Sequence, residues 1–365
     1  MYIKKLTPMK KFLKPLAVLF CAGFIASCAK NTAVTVPSDP EIKNPISDFS
    51  VTPDANDGFT FKFNSLAENF SKLEWRFGDD TLKTDTNPSH TYLATGQYVV
   101  DLETYSKTGQ TSHKQVVINI APDSVMQIST AKTGVDGQLK FNANVKGNIQ
   151  SIAWTFNAVD PSTSVVTKTT SSDLNPVVSF AFGSFNSFSV TATTDKGSVV
   201  TISRNVTTEG IVTDITQSRI NWSSTNDNTG NANENASKLI DGNPDTKFGF
   251  YAAFPVPQIF QLQFAYPITV KLYAIENGND SESTRDPKEW VLEASNDGNT
   301  WDIVDHQTLT IGFADYLKSI GQSATRYKRF FYYPIANPKP YSMYQWRIIS
   351  TFGNAMQIEE LRLYK

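Results

Sequence analysis

Between Ile46 and Thr208 apolar residues recur at every second position over short stretches. Phe59, Phe61 and Phe63 alternate with Thr60 and Lys62. Tyr98, Val100 and Leu102 alternate with Val99, Asp101 and Glu103, and Val116, Ile118 and Ile120 with Val117 and Asn119. A period of two puts one side of each stretch into a core and the other into water, so the pattern predicts short strands joined by polar turns. Past Thr207-Thr208-Glu209-Gly210 it continues with Phe260, Leu262 and Phe264 around Gln261 and Gln263, and with Trp290, Leu292 and Ala294 around Val291 and Glu293. The stretch Gly312–Ile320 reads as one short helix, and nothing else reads as helical. An all-β chain is expected.

The strand pattern repeats. Trp75-Arg76-Phe77 is echoed by Trp154-Thr155-Phe156, Asn87-Pro88 by Asn175-Pro176, and the strand from Tyr98 by the strand from Phe188. Self-similarity at this period implies two sandwich-sized modules, placed at residues 46–121 and 122–208, with a third, larger one at 211–365. Trp75 and Phe77 should point into the first core, with Gly78-Asp79-Asp80 forming the turn that leaves the strand.

Composition supports this order. Of 365 residues, 12% are aromatic, with 24 Phe and 14 Tyr, and 19% are charged. Aromatic and β-branched residues favour strands, and 40% apolar residues can fill several cores. The first 27 residues carry five of the 33 basic residues and no acid, which leaves 28 basic against 35 acidic residues in the remainder. A net-negative body without a basic stretch makes a poor nucleic-acid partner, because phosphate neutralisation needs clustered Lys and Arg.

Those 27 residues read as an export signal. A basic start precedes the apolar run Pro15–Ala26, which is too short to span a bilayer. The sequence Ile25-Ala26-Ser27-Cys28 resembles a bacterial lipoprotein signal, which implies an acylated Cys28 anchored in outer-membrane lipid; a soluble exported form cleaved nearby is the alternative. Cys21 and Cys28 are the two cysteines, so the body has no thiol for a disulfide or a metal. Residues 28–45 are polar and interrupted by Pro37, Pro40 and Pro45, as in a flexible linker. Its 17 residues after Cys28 reach roughly 50 Å at about 3.1 Å each.

Two families are resembled. Trp75-Arg76-Phe77-Gly78-Asp79-Asp80, with Asn87-Pro88-Ser89-His90-Thr91-Tyr92 and Gly96-Gln97-Tyr98, resembles the polycystic-kidney-disease (PKD) repeat, an immunoglobulin-like sandwich. The second module reads as a diverged copy. The third resembles the discoidin, or coagulation factor V/VIII type C, domain, a jelly-roll sandwich whose glycan-binding members form a carbohydrate-binding module family. It does so through Ala236-Ser237-Lys238-Leu239-Ile240-Asp241-Gly242-Asn243 with Thr246 and Phe248, Arg285-Asp286-Pro287-Lys288-Glu289-Trp290 with Ser295–Trp301, and Ile358-Glu359-Glu360-Leu361-Arg362-Leu363-Tyr364. Trp290 and Trp301 are expected in its core.

The discoidin resemblance implies one structural calcium ion held by Lys238, Asp241, Asn243, Thr246, Glu359 and Glu360. Calcium takes six to eight hard oxygen ligands, and carbonyls with two carboxylates meet that need. It also implies a sugar site on loops at one rim, since sugars need an aromatic face and a few planar polar groups. The candidates are Phe250, Tyr251, Phe254, Asn277, Asp280, Arg285 and Tyr341. Where galactose-binding relatives carry a His the chain has Gly249, and their final aromatic has no counterpart in Asn354-Ala355-Met356, which argues against galactose.

The architecture resembles surface glycan-binding lipoproteins that accompany outer-membrane polysaccharide importers. The expectation is therefore a cell-surface outer-membrane lipoprotein without catalysis, binding a polysaccharide or oligosaccharide beside an importer complex. An adhesion or scaffold role toward a protein or lipid partner is the alternative. No nucleophile, metalloprotease or P-loop motif is present, and the three histidines, His90, His113 and His306, are far apart. Glu276 and Asp280 form an acid pair that no motif singles out.

Overall fold

In the computed structural model, residues 43–365 are described except 229, 252–253, 280–282 and 326–327. The signal, Cys28 and most of the linker lie outside the described residues, as does Asp280. The described chain is built of strands in three sandwiches, as the alternation predicts.

The first sandwich pairs a three-stranded sheet (Phe49–Pro53, Thr60–Ser65, Ser89–Thr91) with a four-stranded one (Leu82–Lys83, Lys72–Arg76, Gly96–Tyr105, Thr111–Ile120). Trp75 and Phe77 are fully buried between them. The turn after Phe77 needs positive φ at Gly78 (+81°) and Asp80 (+64°). A side chain at Gly78 would sit 2.8 Å from the Val99 backbone, so glycine is required by space as well as by conformation. Asp79 accepts the Thr81 amide at 3.2 Å and lies 2.7 Å from His90 Nε2, as befits a turn residue.

The second sandwich repeats this geometry in detail. Trp75 Nε1 donates to the Asp85 carbonyl at 3.0 Å, and Trp154 Nε1 to the Asp173 carbonyl at 2.9 Å. Phe63 and Phe141 each lie 5.6 Å from their tryptophan. The Asn-Pro echo also has a cause: Phe63 N donates to Pro88 O, and Phe141 N to Pro176 O, both at 2.9 Å. Each proline carbonyl thus closes the short sheet against the same core aromatic. Gly210–Val212 pairs with Val199–Thr207, so the second sheet runs slightly beyond residue 208.

The third sandwich packs a five-stranded sheet (Asn221–Ser224, Gln258–Thr269, Pro340–Thr351, Pro287–Ser295, Asp302–Thr308) on a four-stranded one (Phe248–Phe250, Met356–Tyr364, Leu272–Asn277, Phe330–Pro334). Trp290 and Trp346 are fully buried within it. Trp301 departs from the expectation: it is half-buried, its Nε1 3.3 Å from the Gly298 carbonyl within its own turn. The short helix spans Phe313–Ser319.

The sandwiches are stitched to one another. Lys196 Nζ meets Asp57 Oδ2 at 2.7 Å, and Val199 N donates to Leu93 O at 2.9 Å between the first and second. Between the second and third, Phe330 N donates to Gly183 O at 2.9 Å. Arg329 donates to the Phe182 carbonyl at 2.9 Å and to Ser162 Oγ at 2.7 Å, and Tyr332 Oη to the Ser184 carbonyl at 2.9 Å.

Candidate functional site

Two polar constellations occupy one end of the third sandwich. The first is an acidic cradle. A 3-10 turn, Ala236–Ile240, delivers Asp241, and Gly242 follows at φ +78°. Asp241 Oδ1 accepts the Asn243 amide at 2.9 Å. Thr246 Oγ1 lies 3.0 and 2.9 Å from the two Asp241 carboxylate oxygens and 3.0 Å from the Asn243 carbonyl. The loop therefore gathers oxygens, with Lys238 Nζ 3.4 Å from Asp241.

Opposite stands the last strand. Glu276 pairs with Glu360 across the sheet while Asn277 pairs with Ile358, so Glu359 forms a bulge. Bulges bend a strand and re-aim its side chains. Glu276, Glu359 and Glu360 are all buried, and among the described residues neither Glu360 carboxylate oxygen meets a hydrogen-bond donor, nor do Glu359 Oε2 and Glu276 Oε2. Burial pushes Glu360 up to about 9, opposed by Arg362 and reinforced by the Glu276 and Asp241 carboxyls. Burial pushes Glu359 up to about 9 as well, with Glu276 adding to it, and Glu276 up to about 8 against the pull of Arg362 and Lys328.

Buried carboxylate oxygens without donors are costly, and here the Glu360 carboxyl also faces Asp241. Among the described residues no three His, Cys, Asp or Glu side chains group as a metal site. A cation here would draw on two carboxylates and on carbonyls, the hard-oxygen mixture that suits calcium. Glu276 was legible only as half of an acid pair with Asp280; it is buried in the cradle, not displayed in a cleft.

The second constellation is a loop rim. Tyr251 is 44% exposed. Its hydroxyl donates to Glu234, the Arg285 guanidinium lies 4.8 Å from its ring centroid, and Lys247 Nζ lies 5.9 Å from it. Lys247 also sits 3.6 Å from Glu234 and donates to Asn279 Oδ1 at 3.0 Å, while Asn231 donates to Glu234 at 3.0 Å. One aromatic face is thus edged by cations, a carboxylate and amides. Glu234 and Lys247 were not singled out beforehand; their only signal was position, one in the Asn-rich loop and one directly after Thr246.

The other candidates are placed differently. Phe254 is buried, with its ring 6.4 Å from Phe248 and 5.7 Å from Phe250 and its amide on the Asn354 carbonyl. Phe250 is half-buried against the same core, 5.5 Å from Phe248. Both rings pack into the core instead of standing on the rim. Asn277 is fully buried and donates to Asp286 Oδ1 at 2.9 Å, and Asp286 Oδ2 accepts the Phe313 amide at 2.9 Å. It props the turn that carries Arg285 and offers nothing to solvent. Tyr341 is buried with its hydroxyl 2.7 Å from Asp302, a bond that pushes it up to about 12. It is the second residue of the strand Pro340–Thr351, so at about 3.3 Å per residue it lies roughly 33 Å from the strand's far end at Thr351.

Two immunoglobulin-like sandwiches followed by a discoidin-type jelly roll define a modular all-β protein. Residues 38–121 match the PKD domain family, and residues 219–331 match the F5/8 type C domain family. The chain therefore carries one domain of each kind. It is 36% identical over 91 residues to collagenase ColA of Bacillus cereus, a stretch covering 24% of this chain and 9% of that protein's length. Among solved structures it is similar to a family 32 carbohydrate-binding module of Clostridium perfringens NanJ in complex with galactose, at 19% identity over 42% of this chain and 100% of that one, with a TM-score of 0.33. It is also similar to the C-terminal domain of a chitobiase from Bacteroides fragilis, at 18% identity over 40% and 94% of the two chains, with a TM-score of 0.31.

Proposed function

We propose that the protein binds carbohydrate, without catalysis, through the loop rim of its F5/8 type C domain. The observation that carries this is the exposed Tyr251 ring, fixed by Glu234 and flanked by Arg285, Lys247, Asn231 and Asn279. An aromatic face takes the C–H side of a sugar ring, and charged and amide groups at its edge take hydroxyls. Because Tyr251 is already oriented by its neighbours, little conformational freedom is lost on binding. The strongly perturbed acids Glu276, Glu359 and Glu360 are buried, out of reach of a glycosidic bond. They serve a structural calcium ion instead, with Asp241 and Glu360 as the charged ligands and the Lys238, Asn243, Thr246 and Glu359 carbonyls as the neutral ones, together with the Thr246 hydroxyl.

In the same reading Cys28 carries the lipid that anchors the chain in the outer membrane, and the sandwiches present the rim on the cell surface to capture polysaccharide for an importer. Titration of the full chain in detergent against a broad glycan panel tests the binding. Loss of a positive signal in Tyr251→Ala and Arg285→Ala supports it. Silence across the panel, with a stable protein partner recovered in its place, favours the adhesion or scaffold role. Metabolic labelling with palmitate, compared with Cys28→Ala, tests the anchor.

A further inference from the structure

The seam between the second and third sandwiches holds two adjoining cavities, of about 390 and 410 Å³, that share Phe182, Thr208, Glu209 and Tyr316. Each volume is within the range of small-molecule sites, and such sites occur preferentially where domains meet. Neither sandwich forms the seam alone: the turn at Gly134–Gln138 and the Phe180–Phe182 segment supply one wall, and the Thr308–Ile311 stretch and the short helix supply the other.

The floor is aromatic. Phe182 and Tyr316 stand 6.0 Å apart at 53°, and each also packs on Phe331. Tyr316 is 39% exposed and Ile311 41%, large apolar surfaces for positions with open space before them. The walls are mixed, with Glu209, Gln138 and Gln322 beside apolar Leu309 and Ile320, and Glu209 is paired with Lys132 at 2.7 Å. The floor is held in place, because Arg329 and Phe330 grip the backbone at Phe182 and Gly183.

These properties select a ligand class. A wholly apolar ligand would take the Glu209–Lys132 ion pair, 2.7 Å apart, out of water and leave its remaining donors and acceptors unmet. A polyanion would meet the Glu209 and Asp136 carboxylates. An uncharged chain with C–H faces and outward hydroxyls satisfies both floor and walls, and two adjoining cavities suit a chain of sugars better than a single ring. We propose that this seam is a second carbohydrate-binding site, taking a neutral oligosaccharide with Phe182 and Tyr316 as its stacking floor. It involves none of the rim residues and stands independently of the rim.

The test uses the full chain in detergent and uncharged hexasaccharides of β-1,4-linked glucose, mannose, xylose and N-acetylglucosamine, with affinities measured by calorimetry. Tyr316→Ala removes half the floor, and Ile311→Arg, at an exposed position, obstructs the cavity without touching the core. At least one hexasaccharide is expected to lose tenfold or more in affinity with both variants, and to show the same loss when each is made in a Tyr251→Ala background. If binding responds to Tyr251→Ala and to neither seam variant, the seam proposal is overturned while the rim reading stands. If no hexasaccharide responds to either seam variant, or none binds, the seam proposal fails.

Discussion

Stripping divalent cations should make the C-terminal sandwich lose stability as the pH rises from 5 to 7. Glu360 illustrates the size of the effect. Its carboxyl is held at about 9 in the fold against an ordinary 4.5, so between those values the folded site keeps a proton that the unfolded chain releases. A raised carboxyl favours the fold below about pH 4.5, and that support drains away as the pH climbs toward 9. For one proton the slope is about 1.4 kcal/mol per pH unit, hence about 3 kcal/mol between pH 5 and 7. In a domain of this size that lowers the melting midpoint by about 6–12 °C. At the proposed site, saturating calcium should reverse the trend, because a divalent ion is held by ionised carboxylates: a hundredfold excess over the dissociation constant at pH 7 restores about 2.7 kcal/mol, and the same concentration restores less at pH 5. The assay is thermal melting followed by the fluorescence of the buried Trp290 and Trp346, with chelator or calcium at each pH. Equal midpoints at pH 5 and 7 in chelator, or a calcium shift no larger at pH 7, would refute the reasoning.

Other outcomes are open to direct measurement. Tyr251→Ala should reduce glycan affinity at least tenfold while leaving the melting midpoint within a degree or two, since the ring is exposed; a matching fall in stability would mean that it acts as a structural strut. Asn277→Ala should remove a buried hydrogen bond to the Asp286 carboxylate and cost about 1–3 kcal/mol in chemical denaturation, with glycan affinity falling only through loosening of the Arg285 turn. Trp154→Ala should cost about 3–5 kcal/mol, as should Trp75→Ala. A cost under about 1 kcal/mol for Trp154 alone would argue that the second module's core is not the counterpart of the first.

The repeat was legible because both modules spend the same residues on the same contacts: Trp75 with Phe63, Trp154 with Phe141, and each proline carbonyl on its phenylalanine amide. The short helix and the Asp241 loop were legible for the same reason, being local. The fate of the loop aromatics was not, because it is decided by distant partners. Phe254 is drawn inward by the Asn354 carbonyl about a hundred residues on, and Tyr341 is captured by Asp302. Tyr251 and Phe254 look equivalent in sequence, and only the folded neighbours separate a displayed ring from a buried one. Gly210–Val212 was equally hidden, since three residues carry no readable alternation and their pairing with Val199–Thr207 is set by the strand they meet.

The grip of Arg329 on the Phe182 carbonyl and Ser162 Oγ has a practical side. Cutting the C-terminal sandwich free would remove two of this guanidinium's acceptors and uncover to water a side chain only 4% exposed in the full chain. An excised C-terminal sandwich would therefore lack a tie that it has in the full chain, and a pull on its loops passes into the neighbouring sandwich instead of being absorbed by a swivel.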